Sequence, residues 1–294
     1  MSARFALLIT PVAADDARTD YSDTFAQIDP GAPAWSVSEL STQRGDGVFE
    51  SVGVIDAHAQ EVQAHLDRLA HSARLCDLPA PQLDQWREAV QITAAACESG
   101  EWVIKLILSR GIDQGPAPTA WVTASPAPDF AHVRTAGVRI AVLDRGIDSG
   151  AAERAPWLLL GAKTLSYAVN MAAIREAKRR GADDAVFVST DGILLEAPTA
   201  SVLLRFGDTF VTPAPGAGIL HGTTQVSTFE WLAAEGFTTE YRTVAASDLA
   251  RADAAWLLSS VRLAAPVIAF DGAAVPVDAE LTSRMNAYLL SPRD

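Results

Sequence analysis

The feature that most constrains the fold is an order of elements that strict alternation of strand and helix does not produce. Residues 47–55 (Gly-Val-Phe-Glu-Ser-Val-Gly-Val-Ile) read as a strand, and two helices follow before the next strand at 102–108 (Trp-Val-Ile-Lys-Leu-Ile-Leu). The first helix, 65–75, carries Leu66, Leu69 and Ala73 on one face. The second, 81–99, opens with Pro81 in its first turn, buries Leu83, Trp86 and Val90, and stops at Gly100. Further strands are expected at 5–9 and 119–123. A doubly wound sheet places one helix between successive parallel strands, so this mixture points to an α+β fold.

The prolines of Ser125-Pro-Ala-Pro-Asp129 mark a linker and divide the chain into an N-terminal α/β domain, 1–128, and a C-terminal α+β domain, 129–294. In the second domain a strand is expected at 138–142 and a helix at 166–180 with Met171 and Ile174 turned inward. A strand at 185–188, a turn at Asp191-Gly192 and strands at 193–195 and 201–206 follow. Helices at 224–234 and 278–290 complete the pattern. No internal repeat or low-complexity tract is present.

With 294 residues, 49% of them hydrophobic, the chain can bury a substantial core. No apolar run approaches the roughly 18 residues of a membrane span, and the apolar part of the N-terminus is short for a signal peptide, so cytoplasmic residence and no membrane partner are expected. A net charge of −13 without a Lys/Arg-rich track argues against nucleic acid. The one basic cluster, Lys178-Arg-Arg180, sits before Gly181 at a helix end, where cations complement the dipole. Cys76 and Cys97 fall in helical patterns and read as small core residues. The five histidines, His58, His65, His71, His132 and His221, lack metal-ligand spacing, so no metal is expected. A Walker loop, a dinucleotide-binding glycine motif, a nucleophile elbow and a zinc-protease helix are all missing from the sequence.

Two residues carry candidate chemistry. Lys163, in Gly161-Ala-Lys-Thr-Leu-Ser-Tyr167, is a single lysine among small and apolar neighbours. Burying an unpaired ammonium is costly, whereas an imine to an aldehyde removes the charge, and a desolvated amine is a better nucleophile. The plainer reading is a solvated loop lysine. Glu196 is the one carboxylate in the apolar run Leu194-Leu-Glu-Ala-Pro-Thr-Ala-Ser-Val-Leu-Leu204. A buried carboxylate needs a cationic or hydrogen-bonding partner, and a pyridinium nitrogen is one. A hairpin carboxylate in solvent is the plainer reading here.

Five motifs, in order, carry a resemblance. Arg44-Gly-Asp-Gly-Val-Phe-Glu50, His65-Leu-Asp-Arg-Leu69, Lys163-Thr-Leu-Ser-Tyr167, Glu196-Ala-Pro-Thr-Ala-Ser201 and Gly218-Ile-Leu-His-Gly-Thr-Thr224 resemble those of the class IV aminotransferase family, pyridoxal-phosphate enzymes of fold type IV. The resemblance implies a D-amino-acid aminotransferase-like fold, with a C-terminal pseudobarrel, the cofactor at the domain interface, and assembly as a homodimer. It implies pyridoxal 5'-phosphate bound as a Schiff base to Lys163, which is also the proton-transfer base. Arg68, the backbone N–H groups of Thr223 and Thr224, and Ser260 are implied as phosphate ligands, Glu196 as the acid at the pyridine nitrogen, Leu220 as packing on the ring face, and Tyr167 near the ring oxygen. Phe49, Lys105 and Arg110 are implied on the substrate side. Ser201 departs from the asparagine that many relatives carry.

Within the family, four details bear on the reaction. Lys105 is the lone cation on a strand face shared with Val103 and Ile107, and such a charge suits a substrate carboxylate or a snorkelling surface stem. Ser109-Arg-Gly111 resembles the corresponding turn of lyases, and residues 112–116 lack the Ser-Pro-Arg-x-His carboxylate trap of D-amino-acid aminotransferases. Gly45-Asp-Gly47 differs from the branched-chain form. These details imply a 4-amino-4-deoxychorismate lyase that releases pyruvate and 4-aminobenzoate for folate biosynthesis. An aminotransferase acting on D-amino or branched-chain acids is the alternative, and a cofactor-binding protein without turnover stays open as a different class.

Overall fold

The computed structural model describes residues 3–294. The chain forms two compact units. The first holds residues up to Pro128 together with Ala162–Tyr167 and Pro292–Asp294; the second holds Asp129–Gly161 and Ala168–Ser291.

In the first unit the strands are β1 (Phe5–Ile9), β2 (Phe25–Ile28), β3 (Gly47–Ile55), β4 (His58–Ala59), β5 (Glu101–Ser109) and β6 (Thr119–Pro126). They form one sheet in the order β2-β1-β6-β5-β3-β4, with every neighbouring pair antiparallel. The helices are α1 (Leu40–Gln43), α2 (Val62–Leu75) and α3 (Leu83–Ala95). Alternation along β5 follows the expectation: Trp102, Ile104, Leu106 and Leu108 are buried, while Lys105 on the other face is exposed. α2 covers the apolar face with Leu66, Leu69 and Ala73, and α3 adds Trp86, Ala89 and Val90. α3 begins later than the sequence suggests, because the Gln82 side chain accepts the Gln85 N–H as an N-cap. It also ends earlier, at Ala95. α2 begins three residues before the expected start. Glu61 at its N-cap holds a left-handed conformation (φ 52°), and its carboxylate pairs with Arg293 at 2.7 Å.

In the second unit the strands are β7 (Val138–Asp144), β8 (Asp184–Val188), β9 (Ser201–Phe206), β10 (Thr209–Pro213), β11 (Thr238–Arg242), β12 (Ala254–Ser259), β13 (Leu263–Phe270) and β14 (Ala273–Ala274). The order is β11-β10-β9-β12-β13-β7-β8, with β14 beside β13, and parallel and antiparallel pairs are mixed. The helices are α4 (Ala131–Ala136), α5 (Ala151–Arg154), α6 (Ala168–Arg179), α7 (Thr223–Ala234) and α8 (Ala279–Leu290). The central strands of this sheet, β9, β12 and β13, are buried on both faces, so successive residues of one strand enter different cores. Val202 and Leu204 pack with Leu257 and Val267, while Leu203 packs with Trp256, Phe210 and Met285. The Trp256 indole N–H donates to Thr282 Oγ1 at 2.8 Å, which satisfies the polar atom of a fully buried side chain.

Two expectations are corrected here. Met171 points outward at 44% exposure, and Ile174 is half-buried, because α6 seats its small residues Ala173 and Ala177 against Ala141, Leu143, Ala185 and Phe187. Close approach of helix and strand favours alanine over larger apolar side chains. Residues 193–195 do not form a strand. Ile193 and Leu194 make single bridges to Ala245 and Val188 after the tight turn at Gly192 (φ 83°). Cys76 and Cys97 are both free and buried.

Candidate active site

Lys163 is held by its backbone against the edge of β3. Its carbonyl accepts the Phe49 N–H at 3.0 Å, and the Leu165 N–H reaches Gly47 O at 2.8 Å. Its own N–H donates to Ser72 Oγ on α2 at 3.1 Å, where Ser72 is fully buried. Such bonds fix the Cα of Lys163 and leave the side chain to the other groups of the site. The Nζ stands 4.6 Å from the centroid of the Phe49 ring, and Phe49 in turn meets Tyr167 edge to face at 5.3 Å. Glycine at 47 is required by this approach. A Cβ there would lie 2.7 Å from Leu108 O and 2.8 Å from Leu165 Cδ1.

On the neighbouring face of α2 lies a buried charged triad. Arg68 binds Glu50 side-on, Nε to Oε1 at 2.7 Å and Nη2 to Oε2 at 2.8 Å. His65 Nδ1 lies 2.8 Å from Glu50 Oε2. Glu50 and His65 are completely buried, and the Arg68 side chain is 11% exposed. Burial pushes the Glu50 carboxyl up, but the charge of Arg68 and the hydrogen bonds from Arg68 and His65 outweigh it, so the group stays below the usual carboxylate range. Burial opposes the charge on Arg68 as well, and Glu50 more than restores it. For His65 burial wins and lowers the pKa, so the ring is neutral. A neutral ring beside an acceptor-only carboxylate must carry its proton on Nδ1. The 3.5 Å approach of Arg68 Nη2 to that nitrogen is therefore a packing contact between two donors.

In the second unit, Glu196 is half-buried, and its Oε2 accepts the Leu220 N–H at 3.1 Å. Thr223 and Thr224 open α7 and are buried, with Gly222 at the N-cap adding no side chain of its own. The Oγ1 atoms of Thr223 and Thr224 lie 3.4 and 3.3 Å from Ser260 Oγ, so three hydroxyls gather at a helix N-terminus. That combination of hydroxyls and first-turn amides suits an anion. Ser201 packs against Gly222, whose Cβ, if present, would lie 2.3 Å from its Oγ.

The substrate-side residues separate. Lys105 shares the open face of its sheet with Ser51 and Thr123, its cross-strand partners, and stays exposed. Phe49 and Ile107 are the next pair on the same face. Arg110 is bonded within the first unit. Its Nε pairs with Asp46 at 2.8 Å, and Nη2 and Nη1 donate to the carbonyls of Cys76 and Asp77 at 2.7 and 3.1 Å, which ties it to the C-terminal end of α2. Among the described residues no group of three or more His, Cys, Asp or Glu is placed to hold a metal ion. Nor is any helix among them long and apolar enough to cross a membrane.

A lysine pinned beside an aromatic ring, a half-buried carboxylate and hydroxyls at a helix N-terminus are the kinds of group that pyridoxal phosphate uses. Residues 47–270 match the family described as amino-transferase class IV, and the chain belongs to it. The chain is 45% identical, over 85% of its length and 90% of the relative's, to a bifunctional aminodeoxychorismate lyase / D-amino acid transaminase of Mycobacterium tuberculosis. A fold IV transaminase structure from Curtobacterium pusillum superposes with a TM-score of 0.92 at 47% identity, covering 98% of this chain and 99% of that one. The PLP-bound form of a hypothetical aminotransferase from Mycobacterium tuberculosis gives 0.87 at 43% identity, over 91% and 97%. The chain is thus an enzyme of the PLP-dependent class IV family with the fold of fold IV transaminases.

Glu50, His65 and Ser72 were not singled out by sequence reasoning as site residues. A signal was present: His65, Arg68 and Ser72 recur at i, i+3 and i+7 on α2, threading a polar line between Leu66, Leu69 and Ala73. What that line faces is visible only once β3 and residues 163–165 are in place.

Proposed function

We propose that the chain is a pyridoxal 5'-phosphate enzyme that acts as a 4-amino-4-deoxychorismate lyase, releasing pyruvate and 4-aminobenzoate for folate biosynthesis. The observation that carries the cofactor is the lysine of the family motif, its backbone N–H and carbonyl both bonded and its Nζ over the Phe49 ring. The donor set fits the group. Arg68, the first-turn amides of Thr223 and Thr224, and the Ser260 hydroxyl would hold the phosphate. Glu196 would partner a protonated ring nitrogen, Leu220 would pack on the ring, and Tyr167 would stand near its oxygen. When bound, the cofactor supplies an aldehyde for a primary amine and an electron sink.

Lys163 then has two tasks, holding the aldehyde and moving a proton at its Nζ. Phe49 screens that nitrogen from water on one side. Lys105, exposed beside Ser51 and Thr123, supplies a cation for a substrate carboxylate, a need that aminodeoxychorismate presents twice. Cytoplasmic residence and assembly as a homodimer belong to the same proposal.

A second reading, transamination of D-amino acids, is favoured by the similarity to a bifunctional lyase and transaminase and to a transaminase structure. Incubation with aminodeoxychorismate in one vessel and with D-alanine plus 2-oxoglutarate in another separates the two. Pyruvate and 4-aminobenzoate in the first support the lyase. Glutamate in the second without any product in the first replaces the lyase by the transaminase.

A further inference from the structure

Resting on that reading, we infer that Glu50 and His65 are positioning residues that aim Arg68 at a phosphate dianion and reference it to Lys163. The first observation is the edge of the guanidinium that Glu50 occupies. Glu50 takes Nε and one side of Nη2, so the Nη1–Nη2 edge is turned away from it. Two parallel bonds lock rotation about the Cδ–Nε bond and therefore set the direction of that second fork. The second observation concerns charge. Glu50 and Arg68 sum to zero, so an anion gains little from their monopole and must be won by aligned N–H donors, which makes orientation the controlling variable. His65, neutral and protonated on Nδ1, holds the carboxylate that holds the arginine. The third observation is the shared ruler. Consecutive residues of β3 carry the two anchors, since the Phe49 N–H binds Lys163 O while the Glu50 side chain binds Arg68. From the other side α2 presents His65 and Arg68 to Glu50 and Ser72 to the Lys163 N–H. The amine and the guanidinium are thus spaced by one strand and one helix, as a ligand with an aldehyde and a phosphate at fixed separation needs.

The test compares pyridoxal 5'-phosphate with pyridoxal, which lacks the phosphate, by absorbance titration of the apoprotein. E50Q removes the charged acceptor pair, H65L removes the donor to Glu50, and H65N returns a donor at the place of Nδ1. The expected result is a fall of tenfold or more in the preference for the phosphorylated form in E50Q and H65L, with pyridoxal affinity held and H65N restored towards the wild type. Equal weakening of both ligands, or H65L and H65N behaving alike, would show a space-filling role and overturn the inference. Should E50Q fail to fold, the H65L and H65N pair decides the matter alone. A wild type that prefers the phosphorylated form while the variants keep its ratio refutes this inference but not the cofactor. A wild type that binds neither ligand refutes both.

Discussion

His65 should make the chain less stable on mild acidification, and the size of the effect follows from its burial. The imidazole is completely enclosed, and its pKa is lowered from the ordinary 6.5, with burial as the main cause. Unfolding releases the ring to water, where it takes up a proton. A group whose folded pKa is depressed contributes stability above its unfolded pKa and loses it as pH falls, here from about 6.5 downward. If the folded ring stays neutral throughout, linkage for one proton removes about 1.4 kcal/mol between about pH 7.5 and 5.5. With a urea m-value near 3 kcal/mol/M, the midpoint drops by roughly 0.5 M. Other groups also titrate, so the measurement is a difference. Urea unfolding of the wild type and H65N at both pH values should give the wild type the steeper loss by about that amount. Parallel losses would refute the reasoning, because they would mean that the buried ring is already charged or that its environment does not penalise the charge.

Gly47→Ala should destabilise the chain by about 1–3 kcal/mol through overpacking against Leu108 O and Leu165 Cδ1; Gly216→Ala, with nothing near its Cβ, is the control in the same denaturation series. Borohydride reduction of the loaded protein should label the peptide containing Lys163, and Lys163→Ala should lose both label and turnover while keeping its fold by circular dichroism. Glu196→Gln should slow turnover on the order of ten- to a hundredfold, the weight of a hydrogen bond to a charged partner; unchanged kcat would place Glu196 outside the site. Lys105→Met should raise KM for aminodeoxychorismate while leaving the cofactor spectrum unaltered, and unchanged lyase kinetics would remove Lys105 from substrate recognition.

Much of the secondary structure was legible because its signals are local. The alternation of Trp102, Ile104, Leu106 and Leu108 is written within one strand, and each of these side chains goes to the core as the pattern requires. The helical period of Leu66, Leu69 and Ala73 is equally local. Where the reading failed, the deciding contact came from elsewhere in the chain. Glu61 at the start of α2 meets Arg293, 232 residues away, and α6 turns Met171 outward because Ala173 and Ala177 take the inward positions against Phe187 and Leu143.

For the site, the sequence by itself determined which residue types exist and in what order: one lysine in a small-residue loop, one carboxylate in an apolar run, and motifs in the sequence of a known family. Chemistry of that kind resides in single side chains and survives without coordinates. Tertiary structure alone decided their neighbours. It returned residues 162–167 to the edge of β3, made Arg110 a clamp on the end of α2, and set Glu50 between His65 and Arg68. The physical reason is that a hydrogen bond depends on position to within a few tenths of an ångström. Periodicity along a chain specifies only which face a side chain occupies, and the partner on that face is supplied by residues far away in sequence.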